Sequence, residues 1–182
     1  KEADQFESAR EGSKTKMYLL GFLKLALLIG LMIGAVLLIL KVTNSPKTPA
    51  ATDFVRETLV SRGLQPFDMT EAYRDAWEAG PALEEAVIAE REDIRFEYYV
   101  FDSDTSANTI GSQFISLVRK KYNKIDSEFK ENKSNYGIRT WKADGQYIVL
   151  MRVDNTLVHA YCNEENADRI RAIMVAIGYF DG

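Results

Sequence analysis

The chain divides by the spacing of its apolar residues. From Met17 to Leu40 the single charge is Lys24, and Leu25 to Leu40 is an uninterrupted uncharged run. Apolar side chains fall on nearly every side of a helix drawn over this block, the pattern of a helix surrounded by lipid rather than packed along one stripe. Its 24 residues would reach about 36 Å as a helix, enough for a hydrocarbon core of about 30 Å. The block predicts one transmembrane helix over 17–40, with Lys24 snorkelling to the headgroups. A cleaved leader fits less well: the apolar part exceeds the usual ~7–15 residues, and the segment Lys41-Val42-Thr43-Asn44-Ser45-Pro46 lacks a small-residue cleavage site.

A polar tail, 1–16, precedes the block. Residues 41–51, with Pro46 and Pro49, read as an extended spacer. Beyond them, 52–182 switches between two periods. A helix opens at Asp53, buries Phe54, Val55 and Leu59, and ends near Gly63; a short one follows over Glu71–Ala79, stopped by Gly80-Pro81. Ala86–Ala89 suggests a short strand. In Ile94–Phe101 apolar and aromatic residues alternate with period two, which predicts a strand. Ala107, Ile110, Phe114, Leu117, Val118 and Tyr122 form the stripe of a long helix over 105–122, with Arg119, Lys120 and Lys121 in its last turn. Strands over 136–142, 147–153 and 156–162 follow, joined by Asp144-Gly145 and Asp154-Asn155. A closing helix over 164–177 is capped by Asn163 and ends at Gly178. This order predicts an α+β domain, an antiparallel sheet of about four or five strands with the two strongest helices on one face.

Composition narrows the reading. A chain of 182 residues with 46% apolar and 27% charged residues is neither disordered nor of low complexity. One Cys excludes an internal disulfide and a zinc site built on two thiolates. The net charge of −4 divides into +3 over 1–49 and −7 over the rest. An acidic domain argues against nucleic acid as a partner. The basic residues Arg10, Lys14 and Lys16 before the apolar block tilt the expected orientation toward a cytoplasmic N-terminus and an extracytoplasmic 52–182. Within the domain, 66–104 is strongly acidic and 119–142 basic, a dipolar surface that could orient a partner.

Candidate catalytic chemistry is sparse. His159 and Cys162 are three apart, so a strand places them on opposite faces. Cys162 reads as a small core residue and His159 as a residue of the sheet surface. Asp102-Ser103-Asp104-Thr105-Ser106-Ala107-Asn108 begins like a calcium loop, but its sixth position is Ala107 and its twelfth Gln113. It reads better as a helix cap. No glycine loop for phosphate, no histidine cluster for metal and no paired carboxylates for acid–base work are evident. No catalytic residue, cofactor or metal is expected. Asn132-Lys133-Ser134 fits a glycosylation sequon.

Two surfaces remain as candidates for binding. One is the sheet face that the period-two pattern assigns to Tyr99, Arg139, Trp141, Arg152, His159 and Tyr161, an unusual mixture for open solvent. The N-terminal helices would cover it, or a peptide, glycan or protein would. The other is the stripe of Ala26, Gly30 and Gly34, spaced for close helix–helix approach. Together they predict a single-pass membrane-anchored protein whose extracytoplasmic domain binds or senses a ligand or partner without catalysis. The alternative is an accessory subunit that docks onto a membrane complex, or onto its own copy, through the small-residue stripe.

Overall fold

The computed structural model describes residues 25–36, 46–77 and 80–182. They belong to two units, divided between Ser45 and Pro46. In the first, α1 covers 25–36, and its large apolar side chains, Leu25 to Val36, are exposed. A Cβ added at Gly30 or Gly34 would meet no atom within 4 Å.

The expected transmembrane helix is corrected here. No helix among the described residues is long and apolar enough to cross a membrane. The rest of the expected span, 17–24 with Lys24 and 37–40, lies outside the described residues, as do the tail 1–16 and spacer positions 41–45.

The second unit, Pro46–Gly182, is α+β. It runs α2 (Thr52–Ser61), β1 (Gln65–Asp68), α3 (Thr70–Ala76), β2 (Leu83–Arg91), β3 (Ile94–Phe101), α4 (Asp104–Lys121), β4 (Ser127–Asn132), β5 (Tyr136–Ala143), β6 (Gln146–Val153), β7 (Thr156–Asn163) and α5 (Ala167–Ala176). The strands form one antiparallel sheet in the order β1-β2-β3-β7-β6-β5-β4. It has seven strands rather than four or five. The two unforeseen ones, β1 and β4, are its edges, and their mostly exposed side chains carry no alternating apolar signal.

Both faces of the sheet are covered. On the first, Val87, Phe96, Tyr98, Val149, Met151 and Val158 pack against Val55 and Leu59 of α2 and Ile170, Ile173 and Met174 of α5. On the second, Ile88, Tyr99, Phe101, Trp141, Ile148, Leu150 and Leu157 pack under Ala107, Ile110 and Val118 of α4, with Tyr73 and Trp77 at the margin. The long helix α4 and the closing helix α5 therefore lie on opposite faces, not on one. Each large apolar side chain buried this way contributes about 1.5–3 kcal/mol, and strands apolar on both sides demand two covers.

Local chemistry sets the joints. Ser103 caps α4, its hydroxyl accepting from Ser106 N–H at 3.2 Å, and Asp102 accepts from the Ser106 hydroxyl at 2.7 Å. The acidic stretch is thus a cap, as the sequence indicates. Asp144 and Gly145 both take positive φ, 50° and 74°, the geometry of a two-residue hairpin whose twist matches its strands. After α5, Gly178 at φ 77° lets Tyr179 N–H reach Met174 C=O at 2.8 Å and Gly178 N–H reach Val175 C=O at 3.0 Å. This C-terminal cap turns Tyr179 into the core.

Residues 46–50 form a strap on the first face. Tyr98 donates to Ala50 C=O at 2.5 Å, Asn135 Nδ2 donates to Lys47 C=O at 2.7 Å, and Lys47 Nζ pairs with Asp181 at 2.9 Å.

Candidate binding cleft on the second sheet face

Period two places Arg95, Glu97, Tyr99 and Phe101 of β3 on one face, and antiparallel register sets Glu97 directly opposite His159 of β7. Glu97 is only 5% exposed. A carboxylate there costs several kcal/mol unless it is paired, and both of its oxygens are engaged. Oε2 lies 2.6 Å from His159 Nδ1, and Oε1 accepts from Arg95 Nε at 2.5 Å. Arg95 also pairs with Glu90 and donates from Nη2 to the Tyr73 hydroxyl at 3.1 Å. Burial pushes the Glu97 pKa up, but the hydrogen bonds and charge of His159 and Arg95 outweigh it and hold the carboxyl below its ordinary value. An ionised carboxylate only accepts, so His159 Nδ1 carries the proton of that bond.

Aromatic rings surround this polar floor. The stripe that buries α4 against the sheet delivers Phe114, whose ring lies 4.6 Å over the His159 ring. Trp77, at the end of α3, stands 4.6 Å from Tyr73, 5.1 Å from Tyr99 and 6.0 Å from Phe114. Between α3 and α4 the rings leave a cleft of about 350 Å³, lined chiefly by Tyr73, Trp77, Glu97, Tyr99, Gln113 and Phe114. Among the described lining residues Glu97 alone is charged. The Tyr99 hydroxyl is buried without a hydrogen-bond partner. Burial first, then the neighbouring Glu97 and Tyr73, push its pKa far up, so it stays a neutral phenol. On the other side of Phe114 a smaller hollow of about 210 Å³ meets Lys121, His159 and Tyr161. Lys121 Nζ lies 5.5 Å from the centre of the Tyr161 ring, within cation–π reach.

The six residues singled out on this face separate into two groups. Tyr99 lines the larger cleft, His159 and Tyr161 the smaller hollow. Arg139, Trp141 and Arg152 line neither. Arg139 pairs with Glu128 at 2.9 Å, Arg152 donates to Asp154 C=O at 3.1 Å, and Trp141 is fully buried with Nε1 unpartnered. Glu97, Arg95, Tyr73, Trp77 and Phe114 were not read as site residues. The alternation of Arg95 and Glu97 along one strand was a legible signal for an ion pair, whereas Glu97 opposite His159 required the register.

Cys162 faces the first core, away from His159, and its thiol is pushed up to about 11, chiefly by burial. Among the described residues no group of three or more His, Cys, Asp or Glu is placed to hold a metal ion.

No protein-family model and no curated protein matches the chain. Among solved structures it is similar to a GTP-binding regulator from Thermotoga maritima, at 13% identity over 76% of this chain and 96% of that one, with a TM-score of 0.44. It is also similar to the extracellular domain of PknH from Mycobacterium tuberculosis, at 12% identity over 74% and 96%, with a TM-score of 0.35. At these scores neither neighbour bears on what the cleft holds.

Proposed function

We propose that the domain 46–182 is a non-catalytic binding module that takes a small ligand in the cleft between α3 and α4. The observation that carries this reading is the cleft itself: about 350 Å³, walled by Tyr73, Trp77, Tyr99 and Phe114, with one buried carboxylate and one unsatisfied hydroxyl. Apolar walls with a few fixed polar groups are what small-ligand sites need. The arrangement favours binding over turnover. Both Glu97 oxygens are held by His159 and Arg95, and Cys162 lies in the opposite core, away from the histidine.

The test is titration of the full 182-residue chain with phenol and with indole, followed by two-dimensional NMR. Saturable shifts at Trp77, Gln113 and Phe114, with the Trp141 indole unmoved, are the expected result. Shifts absent from the cleft, or scattered over the surface, would remove the reading.

A further inference from the structure

Resting on that reading of the cleft, we infer that its ligand is a small organic cation, a primary or substituted ammonium attached to a ring or short alkyl chain. The argument is one of charge complementarity. Glu97 is the one charged residue among the described lining residues. Arg95 is shared between Glu97 and Glu90, so in this cluster two carboxylates meet one guanidinium beside His159. Each carboxylate oxygen has a second lone pair beyond the bond it already accepts. The buried Tyr99 hydroxyl, without a hydrogen-bond partner, adds a further polar group beside the carboxylate.

The walls agree with the floor. Trp77, Tyr73 and Phe114 line the cleft, and aromatic rings attract an ammonium and its attached methylenes while the ring or chain fills the apolar volume. An anion would meet the Glu97 carboxylate with no basic side chain among the described lining residues to answer it. The basic groups of this face, Lys121 above all, open on the other hollow. The volume of about 350 Å³ sits at the lower end for small-molecule sites and sets the ligand as a small free amine.

Three probes of one shape decide the matter: phenethylammonium, 2-phenylethanol and 3-phenylpropionate, titrated into the full chain, with the Trp77 indole resonance as readout and Trp141 as the internal reference. The expected result is phenethylammonium binding about tenfold more tightly than the alcohol, with the carboxylate weakest. In Glu97→Gln the preference for amine over alcohol falls to about one, while Trp77→Leu weakens both alike. Selectivity in the unaltered chain stands as a test whether or not Glu97→Gln folds. Equal binding of amine and alcohol overturns the cation inference and leaves the cleft a binding site. Failure of all three probes at Trp77 overturns both. Tighter binding of the peptide acetyl-Ala-Lys-Ala-amide than of phenethylammonium overturns the small free amine in favour of a lysine side chain.

Discussion

Glu97 and His159 face one another from β3 and β7, with 2.6 Å between Oε2 and Nδ1, and the Phe114 ring closes over the imidazole at 4.6 Å. The pair is neither a surface salt bridge nor a bare buried charge. Arg95 takes the remaining oxygen from the same strand, so the carboxylate has a donor on each side and the protein avoids most of the desolvation cost. Removing Glu97 takes the partner from His159 Nδ1, while Arg95 keeps Glu90 and the Tyr73 hydroxyl.

Glu97→Gln is therefore expected to destabilise the domain by about 2–4 kcal/mol, the range for breaking a buried pair, tempered because Arg95 stays partly in water. Urea unfolding of the full chain measures it. A loss below about 0.5 kcal/mol, the scale of an exposed pair, would show that the cluster stabilises nothing.

The same carboxylate makes stability depend on pH. Its folded pKa lies below the unfolded value, so the folded state binds that proton less readily than the unfolded one. The contribution is complete above the ordinary glutamate value of about 4.3 and is lost as pH falls through the folded pKa. Asp93, held low by hydrogen bonds from Asn166 and Asn163, has the same sign. Urea midpoints measured from pH 6 down to pH 3 should fall once the pH drops below the ordinary glutamate value, and less steeply in Glu97→Gln; identical slopes would count against the assignment.

Cys162 should be inert in the native state. A thiol buried in the first core and shifted to about 11 presents far less thiolate at pH 8 than a free cysteine. Its reaction with a disulfide reagent should be about a hundredfold slower in buffer than in denaturant. A native rate equal to the denatured one would place it outside the core.

Gly178 offers a test of backbone strain free of crowding. A Cβ there would meet nothing within 4 Å, yet φ is 77°. Gly178→Ala should lower stability by about 1 kcal/mol through the left-handed conformation alone, read as a lower melting temperature. An unchanged melting temperature would mean that the cap relaxes without cost.

How much of this was legible in the sequence follows from where each signal resides. The stripe of Ile110, Phe114 and Val118, the Asp144-Gly145 turn and the Gly178 stop are local, and each stands where the residues point. The number of strands was not local. β4, Ser-Glu-Phe-Lys-Glu-Asn, is exposed at nearly every position, β1 contains Pro66, and β2 is interrupted by a register shift between Leu83 and Glu85. The assignment of helices to faces failed for a different reason. Tyr98 and Tyr99 are consecutive and both fully buried, so alternation shows that the strand has two faces without showing which helix covers which. Tyr99, His159 and Tyr161 share one face by strand parity and register, but their neighbours Glu97, Trp77 and Phe114 arrive from register and from helices on either side. The apolar block over 17–40 suggests a span by length and composition, whereas no helix among the described residues is long and apolar enough to cross a membrane.

The two rims of the sheet bear on how the molecule behaves at high concentration. β1 ends the sheet with a proline that has no N–H to offer, and β4 ends it with Glu128, Lys130 and Glu131. A neighbouring molecule aligning its own strand there would meet a missing donor at one rim and unfavourable charge at the other, so end-to-end growth into fibrils has no good template.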